Sequence, residues 1–152
     1  KQGSHEVAKQ FLEESLKLRR DLGDRRNVAI CLNNLGLIAC QLEDYPAARV
    51  CFEESLNLSW KLGERRSLAY SLEAFARLAQ AQKQRERAVT LWGAATALRE
   101  ALGSPLTPPE QVQHHNNLVE SVSNLGEETF QIAWKNGKAM PLESAINYAL
   151  TM

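Results

Sequence analysis

Apolar side chains recur along the first part of the chain at the spacing of amphipathic helices. Between Val7 and Leu22 they lie mostly three or four residues apart. An α-helix turns about 100° per residue, so this spacing places them on one side of a helix. The pattern predicts a helix over residues 1–22. It ends at Gly23, a residue that a left-handed helix end favours.

The same periodicity continues and predicts further helices over residues 25–42, 46–62, 65–82 and 84–102. Beyond the proline-rich connection 104–109, it predicts helices over 108–125, 127–135 and 141–150, with a turn at Asn136-Gly137. No stretch alternates apolar and polar residues with a period of two. We therefore expect an all-α chain of seven to eight helices without a strand.

The helical pattern is written twice with an offset of 40 residues. Residues 12–39 and 52–79 are identical at 12 of 28 aligned positions without a gap. A weaker third copy keeps alanine at 8, 48 and 88, a large apolar residue at 12, 52 and 92, and glycine at 23, 63 and 103. Repeats of about 20–50 residues indicate stacked supersecondary units. In the second helix, Gly36 and Ala39 predict close approach of a neighbouring backbone.

The composition narrows the classes of function. Lysine plus arginine total 18 and aspartate plus glutamate total 18, so the chain lacks the basic excess of a nucleic-acid binder. No run approaches the roughly 18 apolar residues of a membrane span. The three cysteines form no Cys-x-x-Cys pair, which favours small buried hydrophobes in a reducing compartment, the cytoplasm. We expect no metal, no cofactor and no catalytic residues.

The internal spacing of each copy resembles the tetratricopeptide repeat (TPR). Leu32-x-x-Leu35-Gly36-x-x-Ala39 is followed by Ala48, Phe52 and Ser55, and the next copy keeps this order. The period of 40 residues exceeds the usual 34, and a longer helix and loop would account for the difference. The resemblance implies a right-handed solenoid of helical hairpins, in which the first helix is the second half of a truncated repeat.

Residues 91–150 carry a second resemblance. Leu91-Trp92-Gly93-Ala94-Ala95, then Gly126-Glu127-Glu128-x-Phe130-x-x-x-Trp134, is similar to the extreme C-terminus of large bacterial regulators. Those proteins join a STAND-type ATPase to a TPR array, as in LuxR-type transcriptional regulators. This implies TPR-like repeats over residues 1–103 and a divergent helical cap over 104–152. Phe130 and Trp134 should insert against the Trp92 helix, whereas Trp60 should be peripheral.

The TPR register implies a groove formed by the first helices of the pairs. Its residues would be Ile30, Asn33, Asn34, Leu37, Gln41, Tyr70, Glu73, Arg77 and Gln80. They combine apolar area, amide groups and both charge signs, a mixture that suits a protein or peptide partner. That partner could also be another domain of the same polypeptide.

The function expected is a non-catalytic protein–protein interaction or sensor module of a multidomain bacterial signalling or transcription regulator. The alternative is a superhelical domain that senses a small metabolite. A pocket with convergent polar groups would favour that alternative, and an open groove would favour a protein partner. We also expect Val7, Phe11 and Leu18 to be partly exposed, which predicts weak self-association through the N-terminal helix.

Overall fold

A computed structural model of the protein describes residues 2–151, and within them eight helices and no strand occur. The helices are α1 Gln2–Asp21, α2 Arg25–Gln41, α3 Tyr45–Leu62, α4 Arg65–Ala81, α5 Arg85–Leu102, α6 Pro108–Leu125, α7 Glu127–Ala139 and α8 Leu142–Leu150. This confirms the all-α, TPR-like class of helical hairpins. The chain divides into two compact units, Lys1–Ala74 and Phe75–Met152, and the division falls inside α4.

Local chemistry explains where the helices begin and end. Asp24 and Asp44 accept hydrogen bonds from backbone N–H groups of the first turns of α2 and α3. Thr107 and Glu110 form a reciprocal capping box at α6, whose first turn also holds proline. Gly63 ends α3 in the left-handed conformation at φ 68°. These signals are local, so the sequence places most boundaries within a residue or two.

In the first unit, α2 packs against both α1 and α3. Leu32, Phe52 and Leu56 are buried there. Gly36 provides space for a ring rather than for a backbone, because a Cβ at that position would overlap the Phe52 side chain and lie 2.6 Å from its Cδ1. The predicted close approach at Gly36 is confirmed, but the group that approaches is the Phe52 ring and not a backbone.

In the second unit, α5 packs against α6, α7 and α8. Trp92 is fully buried and Phe130 packs in a cluster with Val89, which confirms the core assignment of both aromatic residues. Trp134 is half-buried and stacks on Phe130 with ring centroids 6.0 Å apart. Trp60, in the first unit, is 46% exposed, in agreement with a peripheral position.

The turn predicted at Asn136-Gly137 is wrong, because α7 continues through both residues to Ala139. A Cβ on Gly137 would overlap the carbonyl oxygen of Thr90 and lie 3.1 Å from the backbone nitrogen of Ala94. Gly93, on the opposing helix, would place a Cβ 2.6 Å from the carbonyl oxygen of Trp134. The two glycines thus let the backbones of α5 and α7 meet, and neither glycine marks a turn.

Arg87 of α5 binds the end of α8. Arg87 donates hydrogen bonds to the carbonyl oxygens of Tyr148 and Ala149, the second at 3.2 Å. Its guanidinium carbon lies 4.5 Å from the centroid of the Tyr148 ring. Within the second unit, α8 is therefore held by polar contacts as well as by its buried Ala145, Ile146 and Ala149. A boundary between repeats and cap at residue 103 stays a prediction.

Candidate protein-binding surface

The predicted groove residues of α2 differ in how far they reach the surface. Ile30, Asn34 and Gln41 are exposed, whereas Leu37 is half-buried. Ile30 keeps 46% of its surface exposed, although the adjacent Ala29 and Cys31 are buried. The helix therefore presents a mixed apolar and amide face on one side and its core residues on the other.

Within the first unit, the start of α4 lies beside α2. Asn33 Nδ2 donates to Ser71 Oγ at 3.5 Å, and Arg26 Nε lies 4.0 Å from Glu64 Oε1. Ile30 precedes Asn33 by three residues and Tyr70 directly precedes Ser71, so both lie within one helical turn of this bond. Tyr70 is 36% exposed. The two helices thus bring two large, partly exposed side chains into one part of the unit.

Asn33, which the sequence placed in the groove, is half-buried in the structure and bonds to α4. Its amide nitrogen bonds to Ser71, and its Oδ1 is buried without a hydrogen-bond partner among the described residues. The side chain therefore lies between α2 and α4 and helps to set their spacing. Glu73, on the same part of α4, is half-buried.

A serine network that the sequence reasoning missed supports this arrangement. Ser55 Oγ, on α3, donates to the Ala29 carbonyl oxygen at 2.9 Å and lies 3.4 Å from Ser71 Oγ. Both serines are fully buried. Ser15 occupies the position equivalent to Ser55 in the first copy, and this repetition of a polar residue on an apolar face was the available signal. The network joins three helices behind the exposed face.

The remaining predicted residues, Arg77 and Gln80, belong to the second unit. Arg77 Nη2 donates to Gln113 Oε1, on α6, at 3.1 Å in an exposed hydrogen bond. Gln80 is half-buried. The bond to Gln113 gives Arg77 a structural contact within its own unit.

A second feature absent from the sequence prediction is the aromatic environment of His114. Its ring lies 6.2 Å from that of Trp92 and 6.4 Å from that of Trp134, measured between centroids. Burial lowers the pKa of His114, and the positive charges of Arg99 and Arg77 lower it further. The neutral imidazole is therefore the form that this packing favours.

Each unit also contains an open surface cavity. The one in the first unit has a volume of about 550 Å³ and lies at the ends of α1 and α3 and the start of α2. Its lining consists of Arg20, Gly23, Arg25, Val28, Glu54, Asn57, Leu58 and Lys61. Arg20 forms a 2.7 Å ion pair with Glu54 there. The cavity in the second unit, of about 650 Å³, is lined by Arg87, Asn124 and Tyr148 among others.

Comparison with known proteins agrees with the helical pattern. Residues 1–61 match the family model of the tetratricopeptide repeat. The matched TPR segment includes α1, α2 and most of α3, so it contains the first of the two helices of the candidate surface. Searches of curated proteins and of solved structures gave no match.

Residues 2–151 lack two other features that would indicate a different function. Among these residues, no group of three or more histidine, cysteine or acidic side chains is arranged to hold a metal ion. No helix in this range is both long and apolar enough to cross a membrane.

Proposed function

We propose that the chain is a non-catalytic protein–protein interaction module and that the exposed face of α2 and the start of α4 binds its partner. The observation that carries the proposal is the exposure of Ile30 (46%) on α2 and Tyr70 (36%) on α4, two helices that the Asn33–Ser71 bond joins and whose other sides are buried. Partly exposed aromatic and aliphatic side chains surrounded by amides are typical of interface centres. TPR segments generally serve as scaffolds for such contacts.

The rigid support behind this face favours recognition by a preformed surface. The bonds among Asn33, Ser55, Ser71 and the Ala29 carbonyl fix the spacing of the helices before any partner arrives. A preorganised surface loses less conformational entropy on binding. Asn34 and Gln41 supply exposed amides that can hydrogen-bond to a peptide backbone.

A peptide library displayed on phage provides the probe for this proposal. Peptides selected on the immobilised 152-residue chain should bind with micromolar Kd, and Ile30→Asp with Tyr70→Ala should weaken them at least 30-fold. Trp60→Ala is the matched control, since Trp60 is equally exposed but lies on α3. If selected peptides bind the double variant as tightly as the parent chain, the α2–α4 face is not the binding surface.

The chain would act within a larger protein, as the C-terminal part of a cytoplasmic bacterial signalling or transcription regulator. The similarity of residues 91–150 to the ends of such regulators supports this context. The partner would then be a second protein or a sister domain of the same polypeptide. Reading the coding sequence upstream of Lys1 tests the proposal, and a gene without an ATPase or DNA-binding module would contradict it.

Sensing of a small anionic metabolite is the second candidate function, and the cavity of the first unit is the observation that favours it. Arg25 and Lys61 contribute positive charge to this cavity of about 550 Å³. A panel of phosphorylated and carboxylated metabolites would be tested by thermal shift. A saturable rise in Tm that disappears in Arg25→Ala with Lys61→Ala would support sensing, and its absence for the whole panel would contradict it.

A further inference from the structure

Four large apolar side chains are exposed on α1 and on Leu22, the residue that directly follows it and whose N–H still donates to the Leu18 carbonyl oxygen. Val7, Phe11, Leu18 and Leu22 are 67%, 68%, 58% and 69% exposed. On a helix of 3.6 residues per turn they fall within an arc of roughly 60°. The half-buried residues Ala8, Leu12 and Ser15 lie on the adjacent side of α1, which packs against α2, so this α1 stripe is separate from the packed side. Apolar patches of this kind mark interaction sites.

The spacing of the α1 stripe is the same when it is read from either end. Its members are separated by 4, 7 and 4 residues, and the centre falls between Glu14 and Ser15. A two-fold interface requires that residue i meets residue j and that j meets i. Antiparallel pairing of two α1 helices therefore places Val7 against Leu22 of a second copy and Phe11 against Leu18 of that copy.

The polar residues along one edge of the stripe have a matching symmetry. They are Gln10, Glu14, Lys17 and Asp21, separated by 4, 3 and 4 residues. The centre of this polar edge lies between Ser15 and Leu16, one residue beyond the centre of the stripe. In the antiparallel alignment Glu14 and Lys17 of the second copy, like Gln10 and Asp21 of that copy, are therefore about 3 Å out of direct register, which side chains of this length can span. Each pairing joins opposite charges or an amide with a carboxylate, so the edge is self-complementary as well.

We propose that two copies of the chain associate through antiparallel α1 helices, with the α1 stripe at the centre of a two-fold interface. Four side chains from each copy bury less than the roughly 1,200–2,000 Å² of a stable complex. The dimer is consequently weak and depends on concentration. Its occupancy would rise where a larger assembly or a high local concentration brings two copies together.

Sedimentation equilibrium on the full chain tests the proposal. The parent chain should dimerise with a Kd in the micromolar to millimolar range, and Phe11→Asp should raise that Kd at least tenfold. Val50→Asp is the matched control, because Val50 is 63% exposed on α3 and lies outside the stripe. The melting temperature of both variants should stay near that of the parent, since both side chains are exposed.

Exchanging the charges of Lys17 and Glu14 tests the polar edge of the α1 stripe. Lys17→Glu should raise the dimer Kd about 3- to 10-fold, because two cross-copy ion pairs are lost and become repulsive. Adding Glu14→Lys should restore the parental Kd, since the swapped charges again face each other. Failure of the double variant to recover would contradict the antiparallel register.

Disulfide formation distinguishes the orientation of the helices. With Cys40 and Cys51 replaced by alanine, a mixture of Val7→Cys and Leu22→Cys chains should form crosslinked heterodimers. Val7→Cys chains alone, or Leu22→Cys chains alone, should not crosslink. In the antiparallel pair the same residue of the two copies is separated by 15 residues, or roughly 22 Å, along the helix axis. Crosslinking of Val7→Cys alone would overturn the arrangement. A strict monomer at millimolar concentration would overturn the proposal. The α1 stripe would then be covered by another helix of the same polypeptide.

Discussion

The crossing of α5 and α7 makes Gly137 the most informative position for testing the fold. Gly137→Ala would place a methyl group 2.8 Å from the carbonyl carbon of Thr90 and in overlap with its oxygen. These are backbone atoms of a helix, so no side-chain rotation can relieve the contact. The helices must separate, and the packing of Phe130 and Ala133 on Val89 is weakened.

The magnitude follows from two opposing effects. Overpacking of a well-packed interface typically costs about 1–3 kcal/mol, and a rigid backbone neighbour puts this site at the upper end. Alanine in a helix interior is favoured over glycine by about 1 kcal/mol. We expect a net loss of about 2 kcal/mol in the free energy of unfolding. For a chain of this size that corresponds to a fall in Tm of about 4–8 °C.

Urea denaturation monitored by tryptophan fluorescence is the appropriate assay. A Trp60→Phe background removes the one tryptophan of the first unit, so the signal reports Trp92 and Trp134. Gly3→Ala is the matched control, because a Cβ there meets nothing within 4 Å. It should leave the midpoint unchanged or raise it slightly.

Gly93→Ala extends the test to the opposing helix. It should also destabilise the chain, and the double variant should lose less than the sum of the two single losses, because the first substitution already separates the helices. If Gly137→Ala and Gly93→Ala both match the parent in stability, the close backbone contact does not exist. If Gly137→Ala alone is destabilising, a turn at Asn136-Gly137 would be the better description.

Two further predictions concern polar groups. The pKa of His114 is lower in the folded chain than in the unfolded chain, so the free energy of unfolding should fall as the pH drops below about 6.5 and become constant below the folded pKa. His114→Gln should remove this pH dependence. Urea midpoints measured from pH 4.5 to 8 would show it. Ser55→Ala should cost about 1 kcal/mol in urea denaturation because it removes the bond to the Ala29 carbonyl. Ser59→Ala should be neutral or stabilising, because the buried Ser59 hydroxyl has no hydrogen-bond partner in the described chain. Equal losses for the two serine variants would contradict the network.

The helix ends and the repeat were accessible from the sequence because their causes are local. Asp24, Asp44 and Thr107 cap helices through bonds to residues three positions away, and a single chain displays that spacing directly. The 40-residue offset is likewise visible in the sequence without any structural information. These features account for the agreement in helix number and for most boundaries.

The errors arose where one residue type serves two structural purposes. Glycine permits a turn and also permits close approach of backbones, and Asn136-Gly137 displays the stronger signal for a turn. Only the position of Thr90 distinguishes the two uses of Gly137. The bond from Asn33 to Ser71 could not be predicted from the sequence either, because the two residues lie 38 positions apart. The packing of His114 between two tryptophans has the same long-range origin.

The most direct test of the interaction surface is chemical-shift mapping of the isotope-labelled chain with a phage-selected peptide. Our account predicts that the amide signals of Ile30, Asn34, Leu37 and Tyr70 shift most, and that they follow one saturable binding curve. Shifts concentrated instead at Trp60 and at the arginines that open α2 and α4 would place binding at the loop edge and contradict the α2–α4 surface.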